Sequence, residues 1–191
     1  MDERHPLHAQ SPYSASKIGD DAIAISFKCS FGLPVVIARP FNTYGPRQSA
    51  RAVIPTIILQ IAAGARRIKL GNLASTRDFT YVEDTCRGFI AIAALEAGEV
   101  FHIGSNMEVS VGDLFKLVAD LMESDAQIEV VSERKRPPES EVSRLCCNPR
   151  KLRDASGFLP EVGLREGLNR TIEWFRDPTN LRRYKDRLYN V

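Results

Sequence analysis

Apolar positions along this chain fall into alternating groups with two different spacings, one suited to helices and one to strands buried in a sheet. The first group follows Ser11. Ser11 reads as an N-cap with Pro12 in the first helical position, and a helix is predicted from there through the run ending at Phe31, with Gly32 as its stop. Leu33 and Pro34 break the pattern. Val35 to Ala38 is then a short unbroken apolar run, the signature of a strand buried on both faces of a parallel sheet. Phe41 to Ser49 has no periodicity and is read as a loop beyond that strand's carboxyl end, where open α/β sheets bind ligands.

The alternation continues. Helices are predicted over Val53–Ala63 and Asp84–Ala97, and from Val111 to Met122 behind Ser110 as cap. In the last of these, Val111, Leu114, Phe115, Val118 and Leu121 share one face. Strands are predicted near Arg67–Leu70, Phe79–Val82, Glu99–Gly104 and Gln127–Val131, with a turn at Gly71 and Asn72. Glu133–Glu141, with Pro137 and Pro138, reads as an exposed loop, and helices over Asn148–Ala155 and Leu164–Phe175 complete the chain. Helices alternating with buried strands place the fold in the α/β class.

Composition narrows the function. With 43% hydrophobic and 26% charged residues the chain is an ordinary globular sequence, and its net charge of +2 is dispersed. No basic face suited to a nucleic-acid backbone stands out, so no nucleic-acid partner is expected. The locally basic tail at Arg182, Arg183, Lys185 and Arg187 reads as a solvated helix. No apolar run is long enough to span a bilayer, and no membrane partner is expected. The four cysteines, at 29, 86, 146 and 147, lack zinc-site spacing and read as reduced packing thiols, with Cys146 and Cys147 on opposite faces of an extended segment. His5 and His8 flank Pro6 in a loop; no metal site is predicted. The expected compartment is the cytoplasm.

The candidate chemistry sits in the first helix. Tyr13 and Lys17 are four apart and therefore share a face. A phenol titrates near pH 10 in water, so its use as a base at neutral pH requires a fixed cation close by, which Lys17 can supply. The pair alone equally suits an ordinary helix surface. Its context is more specific: the helix leads into the Val35–Ala38 strand and then into Arg39-Pro40-Phe41-Asn42-Thr43-Tyr44-Gly45-Pro46-Arg47.

With these motifs the sequence resembles the extended short-chain dehydrogenase/reductase family, in particular its NAD-dependent nucleotide-sugar epimerases and 4,6-dehydratases. Tyr13 and Lys17 match the family's YxxxK, and Arg39 to Arg47 match its RP strand end and N-x-Y-G-P-R loop. Leu70-Gly71-Asn72-Leu73 followed by Arg77 to Asp84 looks like its substrate-diphosphate segment. Arg136-Pro137-Pro138-Glu139 resembles a later loop with a diphosphate arginine and a ribose-binding acid.

The resemblance implies that Tyr13 takes a proton from the sugar 4-hydroxyl and that Lys17 also holds the nicotinamide ribose of NAD. Pro40 and Phe41 would border the nicotinamide. Asn42, Arg77, Arg136 and Glu139 would bind the nucleoside-diphosphate sugar. Guanidinium groups suit phosphate oxygens, which they grip as a fork. The plainer readings are an ion pair with Asp78 or Glu83 for Arg77, solvation for Arg136, and a turn role for Asn42. Asp84 reads as a helix cap, and Met107 and Trp174 as packing residues.

Dehydratase and 4-epimerase are both open, as is a module that binds a sugar nucleotide or a partner subunit without turnover. The wording of the Leu70–Leu73 motif tilts toward dehydratase. Full-length family members are expected to be homodimers. None of the 12 glycines forms a dinucleotide-binding G-x-x-G-x-x-G or G-x-G-x-x-G. The expected architecture is therefore the carboxyl-terminal part of a Rossmann-type parallel sheet plus a smaller substrate-binding α/β domain, without the amino-terminal dinucleotide-binding half. Residues 1–49 would be a remnant of the NAD-binding domain. Residues 50–191 would be mainly the sugar-nucleotide-binding region, with about 78–104 returning to the Rossmann sheet. Such a chain is expected to be poorly stable or to associate, and not to bind NAD tightly.

Overall fold

The computed structural model describes residues 1–135 and 137–184. Helix α1 spans Pro12–Phe31. Ser11 and Ser14 form a reciprocal capping box at its start, and Gly32, in the left-handed region at φ 66°, receives the chain at its end. Strands β1 (Ile37–Pro40) and β2 (Asn42–Tyr44) follow, then α2 (Val53–Ala62), β3 (Arg67–Leu70), β4 (Thr76–Tyr81) and α3 (Val82–Ala93). Next come β5 (Val100–Ile103), β6 (Glu108–Ser110), α4 (Val111–Leu121) and β7 (Gln127–Val130). The last elements are β8 (Arg144–Leu145), α5 (Arg150–Ser156), α6 (Leu164–Arg176) and α7 (Pro178–Leu181).

The strands form three small sheets. β1 pairs in parallel with β5, and β3 in parallel with β7. β4 changes partners along its length. Phe79 to Tyr81 pair in parallel with β2, while Thr76 to Asp78 run between antiparallel β6 and parallel β8. Residues 76–78 thus lie where three segments meet, next to two of the candidate substrate residues.

Two apolar clusters hold these layers. The larger gathers Ile54, Ile57 and Ile58 of α2, Leu114 and Val118 of α4, and Leu168, Ile172 and Phe175 of α6 around β2, β3 and β4. Each such side chain contributes about 1.5–3 kcal/mol when fully buried. The smaller joins Ile92 of α3, Phe101 and Ile103 of β5 and Leu152 of α5, with Val36 and Ala38 beside them. Asp84, buried in the first turn of α3, accepts from the backbone N–H groups of Glu161 and Val162 and from Arg87, so the segment before α6 is tied to α3.

Several expectations are corrected. The first strand begins at Ile37 instead of Val35, and only Ile37 in it is buried, so it is not enclosed on both faces. A strand with one neighbour among the described residues covers its faces less than a central strand would. The stretch from Phe41 to Ser49 contains β2, whose pairing with β4 is non-local and leaves no trace in residue periodicity. Asp84 is not a cap: α3 starts at Val82, its N-cap position is Tyr81, and no side-chain cap bond is made there. Met107 is exposed, whereas Trp174 packs edge-on against Phe175. Cys147 is buried and its neighbour Cys146 half-buried, as expected for adjacent residues in extended backbone. Arg182 and Arg183 are exposed, while Lys185 and Arg187 lie outside the described residues.

Candidate active site and substrate cleft

The capping box and Pro12 set the first turn of α1, which carries Tyr13 into solvent at 73% exposure. Lys17 follows one turn later on the same side, its Nζ 6.0 Å from the Tyr13 ring centroid. Lys17 is also paired with Asp20 at 2.9 Å, and that hydrogen bond, ahead of Coulombic attraction to Asp20, raises the lysine pKa. Tyr13 and Lys17 line a cleft of about 840 Å³ together with Pro40, Arg39, His8 and Arg144. Phe41 turns instead toward His102, with ring centroids 5.3 Å apart.

A second cleft of about 520 Å³ is lined by Asn42, Gln48, Arg51, Asn72, Arg77 and Arg134, among others. Glu141 belongs to the walls of both clefts, and the adjacent Val142 to the wall of the first. Arg77 is held at that junction. Its guanidinium donates to the carbonyl oxygens of Thr76 (2.8 Å) and Val142 (2.7 Å) and pairs with Glu141 at 3.1 Å. Asn42 Nδ2 donates to the Asp78 carbonyl at 3.2 Å. The ion-pair reading of Arg77 thus finds a partner, but it is Glu141 rather than Asp78 or Glu83.

The structure brings Asn42 and Arg77 into one cleft and Tyr13, Lys17 and Pro40 into the adjoining one. Glu139 is exposed in a single 3₁₀ turn, Pro138–Ser140, and lines neither cleft; the acid facing them is Glu141. Arg136 lies outside the described residues, and its neighbours Arg134 and Lys135 line the second cleft. Gln48, Arg51 and Glu141 were not singled out from the sequence. Only the pairing of β8 with β4 places Glu141 beside Arg77, and one acid among several after Pro138 carries no local signal. The second cleft's charged lining, Arg51, Arg77, Arg134 and Lys135 against Glu133 and Glu141, is predominantly basic and suits an anionic ligand.

Asp78 organises this junction. Its buried carboxylate accepts from the backbone N–H groups of Ser105 (2.9 Å), Asn106 (2.9 Å) and Cys147 (3.0 Å) and from the Ser105 hydroxyl (2.7 Å). Those bonds hold the turn after β5 and the end of the 141–147 segment against β4. Among the described residues no cluster of His, Cys, Asp or Glu could hold a metal ion.

His102, behind Phe41, is buried, and that burial lowers its pKa, with Arg39 acting the same way and Glu3 opposing it. The folded protein therefore keeps this imidazole neutral at a pH where the unfolded chain binds a proton. Stability is expected to fall as pH drops from about 7.5 through the unfolded histidine value near 6.5. Urea titrations across pH 5.5–7.5 should show that slope, and His102→Gln should flatten it. Carboxylates contribute only at lower pH: Glu108, held at about 2 by Arg144 and then Thr76, loses its contribution as pH falls from its ordinary value of 4.5 toward about 2.

With this geometry in place, comparison with known proteins is informative. Residues 1–171 match the family model described as GDP-mannose 4,6 dehydratase. A dTDP-glucose 4,6-dehydratase from Actinoplanes sp. is 34% identical over 91% of this chain and 54% of its own length; one from Streptomyces antibioticus is 33% identical over 92% and 52%. The crystal structure of a dTDP-glucose 4,6-dehydratase from Streptomyces venezuelae, with NAD bound, superposes with a TM-score of 0.85 at 31% identity. The match covers 94% of this chain and 55% of that one. The chain thus spans about half the length of the curated relatives it matches. Its α/β fold with parallel strand pairs matches the carboxyl-terminal portion of those enzymes. On the match over residues 1–171, together with these likenesses, the chain belongs to the GDP-mannose 4,6 dehydratase family, within the NAD-dependent epimerases and dehydratases.

Proposed function

We propose that this chain carries the Tyr–Lys pair and the sugar-nucleotide cleft of an NAD-dependent nucleotide-sugar 4,6-dehydratase that begins by oxidising the sugar C4 hydroxyl. The observation that carries this reading is the pair of adjoining clefts, one holding Tyr13 and Lys17 and the other Asn42 and Arg77, joined at Glu141. A nucleoside-diphosphate sugar lying across that junction would place its diphosphate on the basic wall and its hexose toward the phenol. Tyr13 Oη takes the proton of the 4-hydroxyl. Lys17, one turn away, supplies the positive charge on the phenol's side of the helix. The lining of the first cleft fits the nicotinamide–ribose end of NAD, with Lys17 toward the ribose and Pro40 beside the ring. NAD, when bound, supplies the hydride acceptor.

A 4-epimerase shares this first step. An epimerase structure from Methanothermobacter thermautotrophicus, superposing with a TM-score of 0.83 at 29% identity, favours that as the second reading. We assign residues 1–49 with α3 and β5 to the cofactor side, apart from Tyr44 of β2, which packs in the larger apolar cluster assigned to the substrate side. Ile23, Phe27 and Phe31 of α1 are exposed at 60%, 47% and 70%, which supports association into a homodimer, to be checked by sedimentation equilibrium. No helix among the described residues is long and apolar enough to cross a membrane, and four free cysteines agree with a reducing, cytoplasmic compartment.

Because the relatives are about twice as long, the decisive assay supplies the dinucleotide-binding segment of a relative in trans. It follows 4-keto sugar formation from dTDP-, UDP- and GDP-hexoses. Turnover that requires both pieces supports the enzyme reading. Nucleotide-sugar affinity without turnover supports a binding module instead.

A further inference from the structure

α1 presents Tyr13 and Lys17, yet none of its 20 residues is buried. Within the described residues α1 therefore has little apolar packing against β1, and polar contacts between the two elements carry its placement relative to that strand. The principal one is at Asp21, one turn beyond Lys17 and two beyond Tyr13. Its Oδ2 accepts from Nε of Arg39 at 2.7 Å and lies 2.7 Å from Nη2, and the two side chains are 20% and 23% exposed. Arg39 lies in β1 directly before Pro40 and Phe41, so this contact links the helix bearing the phenol to the strand that borders the nicotinamide position.

The two adjacent acids of α1 are divided between two cations. Asp20 takes Lys17 at the solvent edge, and Asp21 takes Arg39 in a more enclosed position. A charge-assisted hydrogen bond from Nε, with Nη2 close to the same oxygen, ties the carboxylate to a planar guanidinium and so restrains direction as well as distance. Losing that grip would let α1 rotate, and it would also leave Asp21 uncompensated one turn from Lys17, competing with the phenol for the ammonium.

We infer that Asp21 and Arg39 are a positioning pair for the C4 oxidation, setting Tyr13 and Lys17 relative to Pro40; this rests on the proposed function. The substrate cleft, built around Asn42 and Arg77, does not depend on the pair. Arg39→Gln should therefore lower kcat on the order of 10- to 100-fold, the usual result of misplacing a catalytic group by about 1 Å, and leave KM for the nucleotide sugar nearly unchanged. Asp21→Asn should act in the same direction more mildly. The exchanged pair, Asp21→Arg with Arg39→Asp, should recover a substantial part of kcat, which a general folding defect would not allow.

Hydrogen exchange of the α1 amides provides a readout that needs no turnover. They should exchange faster in Arg39→Gln while the amides of α2, α4 and α6 are unchanged, and the exchanged pair should restore protection. Unchanged α1 exchange in Arg39→Gln overturns the inference, as does a rise in KM at constant kcat, or a double variant no better than the single ones. Absence of turnover in the unsubstituted, complemented protein counts instead against the oxidation reading.

Discussion

Asp78→Ala is expected to destabilise the protein by about 3–5 kcal/mol, as seen when one partner of a buried charged network is removed. The carboxylate is fully buried and has no cation among its hydrogen-bond partners; three backbone N–H groups and one hydroxyl stabilise it. Alanine would leave all four donors facing a small void. Solvent cannot readily enter, because Gly104 packs so closely on Cys147 that even a Cβ there would fall on the cysteine side chain. Asp78→Asn keeps the shape but exchanges an acceptor for a donor, and should cost about half as much. Urea unfolding measures both. A loss below about 1 kcal/mol for alanine would show that Asp78 is not the anchor of this junction. Nucleotide-sugar binding should weaken in parallel, since the same network places Val142 and Glu141 on Arg77.

Tyr13→Phe should lower turnover in the complemented assay by about 10²–10⁴-fold, the span attributed to a positioned general base, with KM for the nucleotide sugar little changed. Stability should not change, because the phenol is largely in solvent and its hydroxyl holds no other residue in place. That separation makes the variant diagnostic. A Tyr13→Phe protein that retains turnover would remove the phenol from the chemistry and leave only the likeness of sequence. Lys17→Met should fall in the same direction, because it removes the positive charge one turn from the phenol.

Local signals in the sequence were dependable wherever the physics is local. The Ser11 cap, Pro12 and the Gly32 stop place α1 to the residue, because capping and the left-handed turn depend on residues within a few positions of each other. α2, α4 and α6 follow from apolar residues at helical spacing; on the face predicted for α4, Leu114, Phe115 and Val118 are buried and Val111 and Leu121 half-buried. The short strands behaved differently. β2, β6 and β8 comprise two or three residues each, and their pairing partner is β4, at separations from 30 positions (Asp78 with Glu108) to 68 (Thr76 with Arg144). Periodicity cannot register a partner so far along the chain.

The candidate site divides along the same line. Tyr13 and Lys17 share a face because of helix geometry, so the sequence by itself determined their proximity, and the family motifs named Asn42 and Arg77. Only the tertiary structure decided which acid stands opposite Arg77. The 132–141 segment has several charged residues with equivalent local patterns, and the register of β8 on β4 selects Glu141 over Glu139. It also decided that Asp21 of α1 meets Arg39 of β1, a property of how helix and strand meet in space. Sequence determines what repeats within a turn or a cap; the packing of distant segments determines which charges meet, because that depends on register and not on spacing.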